Sequence, residues 1–237
     1  MPRSLPTLCG SMAAHPYRMA VEVHNAAYRE LGIDYTFVYF GITDPEQGVQ
    51  AIRALGIRGM NVSMPFKSAV IPYLDRLDPA AAAIGAVNTI DNRDGFLTGY
   101  NTDYIGAMRA LQEVTSLAGK TVALLGAGGA ARAVAYGLVE EGAEVLLYNR
   151  SLDKAQHLAS GLGLQVGGGL ESFSADGSHD ILVNATSIGF NAPDESPVAL
   201  EKLREQLIVM DAVFMPVETR LLREAKDAGC ITIPGVR

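Results

Sequence analysis

The sequence predicts an α/β fold in two domains, and three observations predict it. Short apolar runs alternate with longer stretches of helical period. That alternation restarts after residue 119, and a glycine-rich turn follows the first apolar run of the second series. Strands separated by helices imply βαβ units and a mostly parallel sheet.

In the first series the strand-like runs are T-L-C-G (7–10), Y-T-F-V-Y-F (35–40), G-M-N-V-S-M (59–64), V-N-T-I (87–90) and F-L-T-G-Y (96–100). Helical stretches fall at 18–31 and 45–55, and Pro65 reads as the first residue of a further helix, a position proline favours. The second series is T-V-A-L-L-G (121–126), E-V-L-L-Y-N (144–149), D-I-L-V-N-A (180–185) and I-V-M-D-A-V (208–213). The glycine-dense segment 161–170 reads as a loop around a short strand. Residues 1–102 and 103–237 are the expected domains, with 103–118 as a linking helix.

Composition narrows the partners. The 237 residues are 49% hydrophobic and 19% charged, with a net charge of −7 and no long basic block. Nucleic acid and an anionic membrane are therefore not expected partners. Only Cys9 and Cys230 are present, neither in a CxxC pair, which argues against a disulfide framework or a cysteine zinc site. No metal is expected. The start lacks the apolar core of a signal peptide, and no run approaches the ~18 apolar residues of a membrane span. A cytoplasmic protein is expected; the oligomeric state, monomer or homodimer, stays open.

Residues 121–132, T-V-A-L-L-G-A-G-G-A-A-R, read as a buried strand, Gly126-x-Gly128-x-x-Ala131, and a helix from about Ala130 to Glu140. Gly126 permits a tight turn, Gly128 a close approach of backbone to a pyrophosphate, and Ala131 close helix packing. The helix N-terminus offers N–H groups to the anion. This is a Rossmann-type dinucleotide-binding pattern. At the end of the next strand, where NAD-binding folds usually carry Asp or Glu, stand Asn149, Arg150 and Ser151, then Lys154. With no carboxylate to repel a 2′-phosphate and Arg150 to grip it, NADP is expected over NAD.

Four polar features of the first half stand at expected strand ends or loops: His24-Asn25, Asn61-x-Ser63-x-x-x-Lys67, Asn88-Thr89 and Asn101-Thr102-Asp103. Ligands of open parallel sheets bind beyond the carboxyl ends of strands, so Asn61, Asn88 and Asn101 are expected to converge there. Each has a plain structural alternative: Asp103 as a helix cap, Asn88 as a turn residue, His24 as a half-buried helix histidine. Lys67 fits a structural role least, because a cation near a helix N-terminus opposes the dipole. That field would favour the neutral amine and suit proton transfer, with Asp103 orienting it.

Together these motifs resemble the shikimate dehydrogenase family, most closely a divergent shikimate dehydrogenase-like subgroup. The resemblance runs through H-N (24–25), N-V-S-M-P-F-K (61–67), G-A-V-N-T (85–89), N-T-D (101–103), G-A-G-G-A-A-R (126–132), N-R-S (149–151), N-A-T-S-I-G (184–189) and D-A-V-F-M-P-V-E-T-R-L-L (211–222). It implies an oxidoreductase that reduces 3-dehydroshikimate to shikimate, or acts on a related ring carboxylic acid, with NADPH. It makes Lys67 and Asp103 the catalytic pair and places Asn61, Ser63 and Asn88 at the substrate. It assigns Gly126, Ala127, Gly128, Gly129, Ala130, Asn149, Arg150, Ser151 and Lys154 to NADP, with Thr186, Ser187 and Val213 nearby. By the same resemblance the first domain holds the substrate and the second the cofactor.

Three departures stand out. The family's Ser-x-Ser-Pro run, whose hydroxyls bind the substrate carboxylate, is R-M-A-V (18–21), leaving Ser11 or Arg18 as substitutes. The family tyrosine of D-x-x-Y-x-P is Phe214. The family continues past the position of Arg237 into a helix bearing a substrate-binding glutamine, a donor the sequence as it stands lacks. Alternatives are therefore a dehydrogenase for quinate or aminoshikimate, or an NADP(H)-binding regulatory protein of weak or no activity.

Overall fold

The computed structural model describes residues 5–15, 18–174, 177–190 and 192–236. Its contacts divide the chain into two units, Met1–Thr102 and Asp103–Arg237.

In the first unit the elements are β1 (Thr7–Ala13), α1 (Arg18–Glu30), β2 (Tyr35–Gly41), α2 (Pro45–Ala54), β3 (Gly59–Val62), β4 (Arg76–Leu77), α3 (Pro79–Ile84), β5 (Thr89–Arg93) and β6 (Phe96–Tyr100). The strands lie in the order β2-β1-β3-β5-β6-β4. Parallel pairing joins β1 to β2 and β3, and β4 to β6, while β3–β5 and β5–β6 are antiparallel. The antiparallel part arises from Asp94-Gly95, a two-residue turn with both φ values positive, 54° and 89°. That backbone matches the twist of a hairpin, and D-G is its usual sequence.

One face of this sheet buries Met12, Met60, Val62, Ile90 and Leu97 in a core with Val49 and Ile52 of α2. The opposite face meets α1, in which none of the residues is fully buried. Asn25 of α1 takes up the role of an extra strand residue on β2. Its Oδ1 accepts the Phe37 N–H at 2.9 Å and its Nδ2 donates to the Phe37 carbonyl at 2.8 Å. His24 stacks on the Phe37 ring at a centroid distance of 4.1 Å. The H-N pair thus lies inside a helix and blunts the edge of the sheet, and His24 is the half-buried helix histidine that its plain structural reading expects.

The second unit contains α4 (Asp103–Gln112), β7 (Thr121–Leu125), α5 (Gly129–Glu140), β8 (Glu144–Tyr148), α6 (Leu152–Leu162), β9 (Gln165–Gly168), β10 (Ile181–Asn184), β11 (Ile208–Asp211), α7 (Arg220–Asp227) and β12 (Ile231–Pro234). Its sheet, β12-β11-β10-β7-β8-β9, is parallel throughout. Residues 122–125 and 181–184 are fully buried, which is why both runs read as continuous apolar strands. Of the helix expected over 103–118, the structure forms α4, which ends at Gln112. It packs against α5 so closely that a Cβ on Gly137 would stand 2.7 Å from Met108 Cγ.

No α-helix begins at Pro65. Residues 64–70 form turns, with single bonds from Phe66 N to Ser63 O and Val70 N to Phe66 O, followed by a short 3-10 segment, Ile71–Tyr73. Lys67 therefore has no helix dipole beneath it, and that argument for a neutral amine falls. The elements β4, α3, α6, α7 and β12 were not anticipated. Two of them had local signals: Asp78 caps α3 by accepting the Ala80 N–H, with Pro79 at the first position, and Thr219 caps α7.

Candidate functional site

Each sheet has one point where the chain reverses its direction of growth, and crevices at such points hold ligands in α/β folds. In the first unit that point lies between β1 and β3. Ser11 and Asn61 are register partners there, and Asn61 is in turn the partner of Thr89 on β5. Opposite residues of neighbouring strands share a face, so Ser11, Asn61 and Thr89 line up on one face.

The segment after β3 is tied to both neighbours. Ser63 N donates to Met12 O at 3.0 Å, and Val62 N to Asn88 O at 2.8 Å. The Lys67 carbonyl accepts the Val87 N–H at 2.7 Å, and Ser68 Oγ donates to Gly85 O at 2.9 Å. The structure thus brings Ser11, Asn61, Ser63, Lys67 and Asn88 to one end of the central strands β1, β3 and β5. Lys67, Asn61, Ser63 and Asn88 are all half-buried, and Ser11 is buried.

Asn88 organises the segment around it. Its Oδ1 accepts the Thr102 N–H at 2.9 Å and the Thr89 hydroxyl at 3.0 Å, and its Nδ2 donates to Thr102 Oγ1 at 3.0 Å. Thr102 is thereby fixed directly before Asp103, the first residue of α4. Asn101 does not converge on this end as expected: it is 3% exposed and donates to Ala86 O at 3.0 Å.

In the second unit the reversal lies between β7 and β10. Gly126 sits there with φ +112°, and a Cβ would stand 2.8 Å from Ala185 O. Only glycine meets both demands. Gly128 is the N-cap of α5, which has no side-chain cap, and its own Cβ position has nothing within 4 Å. The first N–H groups of α5 are thus uncapped beside open space, while Ala131 is fully buried against the sheet. Ala127, Gly129 and Ala130 are half-buried in the same turn. These features fit a dinucleotide pyrophosphate.

At the end of β8, Asn149 Nδ2 donates to Ser151 O at 2.8 Å, turning the chain into α6. Arg150 and Lys154 are exposed there. Beyond β10, Thr186 is half-buried and Ser187 exposed; beyond β11, Val213 is buried. Phe214 rests its ring 5.6 Å from that of Phe190. A cavity of about 220 Å³ lies apart from these residues, between α4 and α5, lined by Tyr104, Met108, Arg109 and Glu140 among others.

The departures in α1 also have a structure. Arg18 pairs with Glu22 at 2.8 Å, with side chains 86% and 61% exposed. It spends its charge on its own helix in water.

Comparisons with known proteins identify the family and the fold. Residues 10–90 match the family model described as the shikimate dehydrogenase substrate binding domain, and residues 108–211 the model for shikimate / quinate 5-dehydrogenase. The chain is 44% identical to the shikimate dehydrogenase (NADP(+)) of Methanothermobacter thermautotrophicus, over 94% of this chain and 83% of that protein. Among solved structures, a shikimate dehydrogenase in complex with NADP+ superposes with a TM-score of 0.92 at 38% identity, covering 100% of this chain and 86% of the other. The ligand-free 5-ketofructose reductase of Gluconobacter sp. strain CHM43 superposes at 0.88 with 36% identity, covering 98% and 87%.

Proposed function

This chain belongs to the shikimate dehydrogenase family, and from that premise we propose that it interconverts a ring ketone and a ring alcohol on an acid of the shikimate class, with NADP. The observation that carries the reading is the shared end of β1, β3 and β5, to which strand register and backbone bonds bring Lys67, Asn88, Asn61 and Ser11. Residues 1–102 hold the substrate, and residues 103–237 hold the cofactor.

Gly126, Gly128 and the N-terminus of α5 take the pyrophosphate, with Ala127, Gly129 and Ala130 forming the turn. Arg150 and Lys154 take the 2′-phosphate, with Asn149 and Ser151 shaping their loop. Thr186, Ser187 and Val213 border the remainder. NADPH, when bound, supplies the hydride. The Lys67 amine hands a proton to the oxygen that becomes the hydroxyl, and takes it back in the reverse direction. By the family resemblance Asp103 is the second member of the catalytic pair. Asn61, Ser63, Asn88 and Ser11 offer neutral hydrogen bonds to the ring substituents. Both cysteines are free, which suits a reducing cytoplasm; no described helix is long and apolar enough to cross a membrane.

The test is NADPH formation with shikimate, quinate and aminoshikimate. Turnover of at least one is expected, and Lys67→Ala should lower kcat by roughly 100-fold or more, the range of general acid–base catalysis, with NADPH binding intact. No turnover with any of the three would sink the ring-acid reading.

A second reading is a reductase for a neutral polyhydroxy ketone. Two observations favour it: Arg18, the cation that stands where the family has hydroxyls for a substrate carboxylate, pairs with Glu22 of its own helix, and one solved relative is a 5-ketofructose reductase. NADPH oxidation by 5-ketofructose, with no turnover of the ring acids, would decide for it.

A further inference from the structure

Asp211 is a fully buried carboxylate that the proposed mechanism does not use. It ends β11 as the register partner of Asn184, which ends β10 and is also fully buried. Asp211 Oδ1 accepts Asn184 Nδ2 at 2.9 Å and the Val213 N–H at 3.0 Å, and its Oδ2 accepts the Thr219 hydroxyl at 2.6 Å. Asn184 Oδ1 in turn accepts the Thr186 N–H at 3.0 Å and the Thr186 hydroxyl at 2.7 Å, while Thr186 Oγ1 accepts the Ile188 N–H at 3.1 Å. Every polar side-chain atom of the chain Thr186–Asn184–Asp211–Thr219 has a partner. It runs from the loop after β10 to the loop after β11 and the cap of α7.

Burial pushes the Asp211 carboxyl up, and the bonds from Thr219, Val213 and Asn184 oppose that rise. Burying a carboxylate is costly even when it is bonded. A core of this kind could join β10 to β11 with apolar side chains at less cost, so the network has another use. Its location supplies one. Ala185 O, within the tethered loop, is the atom that a Cβ on Gly126 would strike. The loop held by Asn184 is therefore the wall facing the glycine turn.

We propose that Asp211 is a positioning residue for the cofactor: through Asn184 and Thr219 it holds the loops at 185–189 and 212–219 in the conformation that receives the dinucleotide. This rests on the NADP reading above. Removing one partner leaves buried donors or acceptors unmatched, so the two loops lose their common anchor while the glycine turn and Arg150 stay as they are.

The experiment is NADPH titration, followed by the nicotinamide fluorescence, on wild type, Asp211→Asn, Thr219→Val and Thr219→Ser, with thermal unfolding of each. Asp211→Asn sets a donor against the Thr219 hydroxyl, and Thr219→Val removes that hydroxyl. Both should weaken NADPH about tenfold or more in preparations that still unfold cooperatively. Thr219→Ser keeps the hydroxyl and should bind within about twofold of wild type. NADPH Kd values unchanged in both Asp211→Asn and Thr219→Val, whatever their Tm, would overturn the proposal. Equal weakening in Thr219→Ser and Thr219→Val would do so as well, because the hydroxyl would then carry nothing. Failure of the wild type to bind NADPH would instead refute the cofactor reading on which it rests. If Asp211→Asn does not fold, the Thr219 pair decides alone.

Discussion

Asn88 grips Thr102 at two points, accepting its N–H at 2.9 Å and donating to its hydroxyl at 3.0 Å. The grip sets the backbone one residue ahead of Asp103. It also ties that backbone to the strand entry that follows Lys67 through Val87. Asn88→Ala should therefore act on kcat as well as on KM. A displacement on the order of 1 Å costs about 100-fold in a well-oriented reaction, and steady-state kinetics with the best substrate of the panel would measure it. A pure KM effect would reduce Asn88 to a lining residue.

Gly126 admits no side chain. Ala at this position meets Ala185 O at 2.8 Å and must adopt φ +112°. Backbone strain of this kind costs about 1–3 kcal/mol. Gly126→Ala should lower the denaturant midpoint and weaken NADPH together. Gly128→Ala, whose Cβ has nothing within 4 Å, should leave stability nearly unchanged and weaken NADPH alone.

Arg150 is exposed at the end of β8 with no acidic neighbour in Asn149-Arg150-Ser151. A charge-assisted bond contributes about 1.5–3 kcal/mol. Arg150→Ala should then raise KM for NADP by roughly 10- to 100-fold and leave KM for NAD almost unaltered. Parallel increases for both cofactors would show that Arg150 does not read the 2′-phosphate.

Stability should fall in acid, and Asp75 is one cause. The Leu97 N–H, donated at 2.6 Å, together with Arg53 at 2.7 Å, holds its carboxyl below the ordinary range. Asp180 is held down likewise by the Thr121 N–H and Lys120. A depressed folded-state pKa stabilises the fold above the unfolded value of about 3.9, and that stabilisation disappears as pH falls through the folded value. Urea unfolding of wild type and Asp75→Asn should differ at pH 7 and converge towards pH 3. A gap independent of pH would assign the effect to packing.

The alternation of strands and helices, the glycine turn, and the motif residues from Asn61 to Val213 could all be read from the chain, because each is written in local periodicity or in contiguous residues. Local reading also misled. Pro65 looked like a helix start, yet the segment is pinned by Met12, Gly85 and Val87, residues distant along the chain, and forms turns instead. Asn101 looked like a site residue; burial against Ala86 claimed it. Which polar groups meet is a matter of strand order and register. Ser11 faces Asn61 because β1 pairs with β3, and Asp211 meets Asn184 because β10 pairs with β11. A sequence carries those pairings only through the summed burial of both sheets, so the tertiary structure alone decided which asparagines organise the site and which merely fill the core.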